Sequence, residues 1–252
     1  MLEVGFETLL LLLAAGFVAG FMDAVAGGGG LVTVPILLLA GANPITALAT
    51  NKIQGLFGAG TAALAYARGG HVNLREQAPL ALIAFAASIA GALLVTILPT
   101  GWIRLILPFL LIGIAVFFAT KKGLGDLDRH RRMTPLVFAA SMVPLCGAYD
   151  GLLGPGAGSF YMLAFVTMAG YGILKATAHT KLLNFASNAG ALLAFALVAT
   201  PWWFTGIAMG IAQIGGAALG AKVAQNKGAR IIKPLLVITS VSLALKLLWD
   251  MI

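Results

Sequence analysis

The chain has few charged residues: Asp, Glu, Lys and Arg together make up 10% of its 252 residues, against roughly 25% in soluble domains. A soluble protein of this length must cover its surface with polar groups, yet 60% of these residues are hydrophobic. The scarcity of charge excludes a soluble globular domain and a disordered chain. It indicates an integral membrane protein whose surroundings are the lipid bilayer.

Cysteine is nearly absent as well, and the single Cys146 excludes a disulfide scaffold. The 16 Lys and Arg residues outnumber the 8 acidic ones, but they lie mostly between apolar segments, which is typical of the positive-inside pattern and not of nucleic-acid binding. No Walker-type loop ending in Gly-Lys-Ser/Thr occurs, so energy would come from a gradient or a partner. The histidines, the cysteine and the acidic residues lack metal-ligand spacing, and we expect neither a metal nor a cofactor.

Ten apolar segments predict an all-α polytopic membrane protein. They run over 5–26, 31–41, 44–67, 76–98, 101–120, 134–153, 157–169, 172–199, 201–223 and 230–250. Eight are long enough to span a hydrocarbon core of about 30 Å. The second and the seventh are only about 18 Å long as helices, and each follows a glycine-rich stretch. Short, glycine-interrupted segments at matching positions are typical of transporter binding sites.

The chain contains an internal repeat. Three motifs recur in the same order at offsets of 126 to 129 residues: Gly20–Asp23 with Gly147–Asp150, Ala47–Lys52 with Ala176–Lys181, and Arg104–Pro108 with Arg230–Pro234. This pattern predicts two transmembrane units of five segments each, 1–122 and 134–252. A short cytoplasmic linker, 123–133, would join them.

The distribution of basic residues predicts how the two units are oriented. Basic residues cluster at three places: Lys121, Lys122, Arg129, Arg131 and Arg132 in the linker; Lys222, Lys227, Arg230 and Lys233; and Arg68 with Arg75. If all three face the cytoplasm, segment 157–169 counts as a crossing whose glycine turn lies below the membrane surface. Each unit then crosses an odd number of times. The result is an inverted repeat with both termini outside.

Charged residues also lie inside the apolar segments, at equivalent positions of the two units. Asp23 and Asp150 precede the glycine turns, and Lys52 and Lys181 fall near the bilayer midplane. A lysine there costs at least about 2.5–3.5 kcal/mol, which favours a function. Our hypothesis is that the lysines balance an anion. The alternative, which can coexist with it, is that each lysine pairs with the aspartate of its own unit and locks helices together.

Backbone and amide groups complete the predicted site. The glycine turns would supply free N–H groups at the positive end of a short helix, and such turns need positive φ. Thr177, Lys181, Asn184 and Asn188 share one helical face, whereas Gly55 and Ala59 replace the two asparagines in the first unit. The predicted substrate-binding residues are Gly27, Gly28, Gly29, Gly30, Asn51, Lys52, Gln54, Gly156, Gly158, Thr180, Lys181, Asn184 and Asn188. The candidates for proton coupling are Asp23, Asp150 and His179.

Other interpretations of the same residues remain open. A passive anion channel would use the same lining, and an intramembrane serine hydrolase would use Ser159 with His179. A membrane sensor or assembly factor is disfavoured because no soluble output domain is visible in the sequence. The pairs Gly16/Gly20, Gly206/Gly210 and Gly216/Gly220 have the spacing that favours close helix contact, and we expect that contact inside the bundle.

Several of these motifs resemble the TauE/SafE sulfite exporter family, over nearly the whole chain. The resemblance is carried by Asp23–Pro35, Ala47–Lys52, Tyr149–Phe160 and Lys175–Asn184. It implies a multi-pass transporter of a bacterial-type plasma membrane, with sulfite, organosulfonates and related sulfur compounds as the substrate class. The family is usually described with seven to nine spans. The residues themselves indicate a secondary active transporter, not an enzyme, that moves a small anion by alternating access around a midplane site, with both termini periplasmic.

Overall fold

A computed structural model describes residues 3–95, 101–120 and 125–249. These residues form helices and connecting turns without a strand, so the all-α prediction is confirmed. The helices are α1 (Phe6–Ala26), α2 (Gly30–Leu39), α3 (Pro44–Arg68), α4 (Leu74–Leu94), α5 (Gly101–Thr120), α6 (Pro135–Ala140), α7 (Met142–Leu152), α8 (Ala157–Ala164), a π-helical turn (Phe165–Ala169), α9 (Ile173–Val198), α10 (Trp203–Lys227) and α11 (Ala229–Trp249).

The ten predicted segments correspond one by one to these elements. Segment 134–153 is divided at Ser141 into α6 and α7, and segment 157–169 is α8 followed by the π-helical turn. Five stretches of the described chain are long and apolar enough to cross a membrane: α1, α4, α6 with α7, α9 and α10. Helix α3 is just as long, at 25 residues, but it carries Lys52, Asn51 and Gln54 in its buried face. The chain is therefore a multi-pass membrane protein.

One end of the bundle, which we call the basic end, gathers the described basic loops. The Arg129 N–H donates to the Gly170 carbonyl at 2.6 Å, and the Asp126 carboxylate accepts from the N–H groups of Leu174 and Ala229 at 3.1 Å. Residues 125–133 thus contact the start of α9 and the start of α11. Gln225 reaches the Ala65 carbonyl at 3.5 Å, which brings the end of α3 to the same place. Lys121 and Lys122 lie outside the described residues.

Asp128 fastens the same loop to α9. Its carboxylate accepts from the Gly172 N–H at 2.9 Å and from Lys175 at 2.6 Å. Partial burial raises the pKa of Asp128, but the hydrogen bonds from Lys175 and Gly172 outweigh burial, and the pKa is lowered. Because both groups of the pair are about half exposed, this ion pair adds little to stability.

The opposite end, which we call the far end, gathers the N-terminal residues and two other loops. The Glu3 carboxylate accepts from the backbone of Phe204 and from the backbone and hydroxyl of Thr205, at 2.9–3.2 Å. Burial raises the pKa of Glu3, and these hydrogen bonds lower it below its usual value. Thr46, at the start of α3, donates to the Thr200 carbonyl at 3.2 Å. The α2–α3 and α9–α10 loops therefore lie beside the N-terminus.

Each short helix forms a hairpin with the long helix before it. Helix α1 begins at the far end, and α2 returns there, since Leu39 lies just before the α2–α3 loop. Helix α6 begins at the basic end, and the π-helical turn returns there, because the Met133 N–H donates to the Met168 carbonyl at 3.1 Å. The glycine turns at the two hairpin tips are inside the protein; that the turn of segment 157–169 lies below the membrane surface stays a prediction.

The helices of the two sequence repeats are interleaved. Helix α1 packs most extensively against α10, α4 against α7 and α9, α3 against α10 and α9, and α5 against α11. The predicted glycine contacts lie inside this bundle: Gly16 and Gly20 face α10, and Gly216 and Gly220 face α1. A Cβ on Gly16 would lie 2.9 Å from the Met209 carbonyl oxygen, so glycine is what lets these two backbones approach.

Candidate functional site

Three glycines at the hairpin tips have the positive φ that the sequence predicts. Gly27, the residue after α1, has φ of 78°, and the second tip contains Gly154 and Gly156 with φ of 88° and 84°. Glycine occupies this left-handed region without steric cost. Gly29 differs, because its φ of −57° is helical and it caps α2.

The two hairpin tips touch each other through their backbones. A Cβ on Gly158 would lie 2.5 Å from the Gly27 Cα, and one on Gly27 would lie 2.6 Å from the Gly158 carbonyl carbon. The Ser159 hydroxyl donates to the Ala26 carbonyl at 3.4 Å beside this contact. We call the contact of Gly27 with Gly158 the glycine crossing. It joins the first sequence repeat to the second in the protein interior.

Lys52 forms a tight ion pair with Asp150. Its ammonium group donates to Asp150 Oδ1 at 2.6 Å and to the Asp150 carbonyl at 2.5 Å. The Ser187 hydroxyl donates to the other carboxylate oxygen, Oδ2. The two paired side chains are only 1% and 4% exposed. Both oxygens of Asp150 are therefore held by fixed donors.

Lys181 forms a looser pair with Asp23. Its ammonium group donates to the Asp23 carbonyl, but it lies 3.4 Å from Asp23 Oδ2. The Gly29 N–H donates to Oδ1 at 3.3 Å. The side chain of Asp23 is 19% exposed, whereas that of Lys181 is fully buried. The Asp23 carboxylate is thus the less constrained of the two.

The alternative in which each lysine pairs with the aspartate of its own unit is wrong in its partners. Lys52 of the first unit pairs with Asp150 of the second, and Lys181 of the second pairs with Asp23 of the first. The physical reason is the glycine crossing, which carries each hairpin tip into the other unit. Sequence equivalence singled out the four residues that form these two pairs but not which lysine meets which aspartate.

A cavity of about 30 Å³ lies beside the glycine crossing. By the usual requirement of 10–15 Å³ for one water, it holds about two. Eleven of the predicted site residues line it: Asp23, Gly27, Gly29, Gly30, Asn51, Gln54, Asp150, Gly156, Gly158, Asn184 and Asn188. The other four lining residues are Gly55, Gly154, Ala157 and Gln213.

Four of the predicted substrate-binding residues do not line this cavity. A Cβ on Gly28 would lie 3.3 Å from Thr239 on α11, so Gly28 faces away. Thr180 is fully buried, and its hydroxyl has no hydrogen-bond partner among the described residues. Lys52 and Lys181 lie behind the lining, turned toward their aspartates. A Cβ on Gly154 would lie 2.8 Å from Lys52 Nζ.

His179 lies at a different place from the other candidates. It lines a groove of about 380 Å³ at the basic end, and its ring packs 4.8 Å from that of Tyr171. Lys181 lies two positions after His179, which is about 200° around a helix, so the two side chains face opposite ways. The Ser159 hydroxyl bonds to Ala26, and no described hydrogen bond joins Ser159 to His179. The proposed hydrolase dyad is therefore not formed.

The amides on one wall of the cavity bind one another. Thr33 and Gln54 both donate to Asn51 Oδ1 at 2.6 Å. Gln213 donates to Gln54 Oε1. Gln213 was missed by the sequence reasoning, although an amide in the middle of apolar α10 is itself a signal of an intramembrane polar site.

The opposite wall has an unsatisfied polar atom. Asn184 Oδ1 is buried without a hydrogen-bond partner in the described part of the chain, while Asn188 donates to the Asn184 carbonyl at 2.7 Å. Buried polar atoms are nearly always paired, so Asn184 Oδ1 is an open acceptor for a donor such as a water molecule, whereas only the Nδ2 group of this amide can donate to an anion. Gly55, which replaces an asparagine in the first unit, makes room: a Cβ there would lie 3.0 Å from Asn188 Oδ1.

Comparison with known proteins places the chain among membrane transporters. The family described as Sulfite exporter TauE/SafE matches residues 12–247. "Probable membrane transporter protein ORF9" of Sinorhizobium is 55% identical over 250 residues, which cover 99% of this chain and 96% of the relative. "Probable membrane transporter protein YfcA" of Escherichia coli K12 is 46% identical over 232 residues, 92% of this chain and 86% of the relative. A "Probable membrane transporter protein" of Haemophilus influenzae is 41% identical, over 99% of this chain and 98% of the relative. No solved structure matches.

Proposed function

The chain belongs to the sulfite exporter TauE/SafE family and is a membrane transporter, and from this premise we propose that it moves a small anion by secondary active transport. The proposed substrates are sulfite or an organosulfonate. One observation carries the proposal: a polar cavity lies beside the glycine crossing, where the hairpin tips of the two sequence repeats meet inside the bundle. Transporters built from repeats bind their substrates at such interrupted helices near the midplane.

The anion would be bound mainly by backbone and amide groups. The N-termini of α2 and α8 direct the positive ends of their helix dipoles at the cavity through Gly29, Gly30 and Gly158. Asn51 and Asn184 would orient the anion by hydrogen bonds. The lysines act through the carboxylates that they hold, and Asp23 and Asp150 are the coupling candidates at the cavity. His179, at the basic end, is not proposed for coupling.

Alternating access would use the two repeats as an inverted pair. The first unit begins at the far end and the second begins at the basic end, which supports this orientation. The helices of the two units are interleaved. The hairpin of α1 and α2 enters from the far end, and the hairpin of α6, α7 and α8 enters from the basic end. Rocking of one unit against the other would then expose the cavity to each end in turn.

The proposed orientation predicts the sidedness of three sites. A reporter fused at Leu124 should read cytoplasmic, and reporters fused at Glu3 and at Ile252 should read periplasmic, because the basic loops stay in the cytoplasm. Activity of paired phosphatase and fluorescent-protein fusions measures this directly. A terminus on the same side as Leu124 contradicts the inverted repeat.

Ligand-induced thermal stabilisation tests the proposed function. We expect the purified protein to be stabilised by a member of a panel of sulfite, methanesulfonate, thiosulfate, sulfoacetate, taurine, sulfate and carboxylates. A ligand at 100 times its Kd stabilises by about 2.7 kcal/mol, which shifts the melting temperature by several degrees.

Two amide variants locate the site of this stabilisation. Asn184→Leu should abolish it because the Asn184 amide lines the cavity and its Nδ2 group can donate to an anion. Gln225→Leu, which removes an amide at the basic end, is the matched control and should keep it. Stabilisation by no member of the panel, or equal stabilisation of the two variants, contradicts the site. Accumulation of the anion against its gradient in vesicles separates a transporter from a passive channel.

A further inference from the structure

The charges at the cavity sum to zero. Two carboxylates, Asp23 and Asp150, line it, and each is paired with a buried lysine, Lys52 or Lys181. The lysines therefore have no spare charge to offer to an anion. An anion that entered this site alone would leave a net negative charge in the protein interior, and an unbalanced buried charge is strongly unfavourable.

The two carboxylates differ in how easily they can be neutralised. Both oxygens of Asp150 accept short hydrogen bonds, from Lys52 and from Ser187, whereas the Gly29 N–H and Lys181 approach the oxygens of Asp23 only to 3.3 and 3.4 Å. Asp23 has no counterpart of Ser187, because the equivalent position in the first unit is Gly58. A Cβ on Gly58 would lie 3.2 Å from Gln213 Cδ, so the Gln213 side chain fills that space. Asp23 is also the more exposed carboxylate, and it faces the cavity.

From this charge count we infer that the protein carries a singly charged anion together with one proton, and that the proton travels on the Asp23 carboxylate. This rests on the proposed function. Asp23 takes up a proton from the compartment to which the cavity is open, and the charge of Lys181, behind Asp23, then balances the anion in the cavity. The four charged groups and the anion then sum to zero again. On the other side the anion leaves and Asp23 returns the proton to solution.

Few other groups around Asp23 can change this balance. The described neighbours on the elements packed against α1 are Lys181 on α9, Tyr66 on α3, Ser159 on α8, Gln213 on α10, Thr239 on α11 and, across the cavity, Asp150 on α7. Tyr66 is engaged, since its hydroxyl donates to the Ala24 carbonyl at 2.9 Å. Because only Asp23 carries the proton in this cycle, the site neutralises one negative charge, which selects monoanions over dianions.

Flux in vesicles with controlled pH and membrane potential tests this inference. The full-length protein is reconstituted, and the probes are methanesulfonate, which carries one negative charge, and bisulfite. In the unmodified protein, a gradient of one pH unit should drive about tenfold accumulation. A membrane potential clamped with potassium and valinomycin should have no effect, because the transported pair is neutral.

Asp23→Asn should make anion accumulation depend on the membrane potential instead of the pH gradient. The asparagine keeps the backbone bond to Lys181 but cannot carry the proton, so the site has one fixed positive charge without the anion. Exchange between equal pools should persist, the pH gradient should drive no accumulation, and about 100 mV should change accumulation roughly 50-fold. Asp128→Asn, which breaks an exposed lysine pair at the basic end, is the matched control and should behave as the unmodified protein.

The outcomes separate the inference from the proposed function. If neither probe exchanges between equal pools in the unmodified protein, the proposed function fails and the inference fails with it. If exchange occurs but potential drives uptake in the unmodified protein, or if Asp23→Asn still accumulates anion on a pH gradient, the inference alone is overturned.

Discussion

Replacing Lys52 by methionine is expected to lower the free energy of unfolding by about 3–5 kcal/mol. The reason is the partner left behind: Asp150 lies 2.6 Å from the lysine and is 4% exposed, so its carboxylate would remain buried without a counter-charge. A lysine without a fixed acidic partner would behave differently, because its removal would leave stability unchanged or improve it. A loss of stability on this substitution therefore indicates that Lys52 is paired with Asp150, and an unchanged or higher stability indicates that it is not.

A second substitution and a matched control test whether the loss of stability comes from the unpaired carboxylate of Asp150. Lys52→Met combined with Asp150→Asn should recover most of the lost stability, because the asparagine needs no counter-charge. Lys175→Met, which breaks an equally short but half-exposed pair, should cost about 1 kcal/mol or less. Unfolding of the purified variants by heat and by denaturing detergent measures all three. Equal stabilities of the Lys52 and Lys175 variants would show that the buried pair is not formed.

Replacing Gly158 by alanine is expected to prevent the native packing of the two hairpins. Gly158 lies in the first turn of α8, where alanine can adopt the same backbone conformation. The expected effect therefore comes only from the steric clash of the added Cβ. The new Cβ would lie 2.5 Å from the Gly27 Cα and 2.9 Å from Asn184 Nδ2. Overpacking commonly lowers stability by about 1–3 kcal/mol. Here we expect a loss at or above the top of this range, because the clash is with backbone atoms and not with a side chain that could change its rotamer.

The measurement is the yield and thermal stability of the membrane-inserted protein, together with anion exchange in vesicles. Gly158→Ala should lose exchange and melt at a much lower temperature. Gly113→Ala is the control, since it makes the same change within α5 where nothing lies within 4 Å of the added Cβ; its stability should stay the same or rise slightly. Wild-type exchange by Gly158→Ala would contradict the glycine crossing.

The sequence could predict the elements because hydrophobic length and glycine position are local properties. Each of the ten segments is found, and the turns at Gly27 and Gly156 have the positive φ expected of them. The break at Ser141 and the π-helical turn 165–169 carry no comparable signal. Both depend on how α6 to α8 pack against their neighbours, which hydropathy does not record.

The candidate site was predictable in composition but not in pairing. Internal repetition singled out Asp23, Asp150, Lys52 and Lys181, yet equivalence cannot say which lysine meets which aspartate when two units interleave. His179 is a different case, since its angular distance from Lys181 along one helix already places it on another face. Gln213 was overlooked because it belongs to no repeated motif, and only the packing of α10 against α3 brings it to Gln54.

Because each ion pair joins the two halves of the chain, neither pair can form until the second half has been synthesised. Lys52 is synthesised 98 residues before Asp150, which at 5–20 residues per second takes the ribosome about 5–20 s. During that time the first half enters the lipid with a lysine whose partner does not yet exist. Asp23 waits longer still, because Lys181 follows it by 158 residues. The first half is therefore a transient species in the membrane, and its lifetime is set by translation of the second.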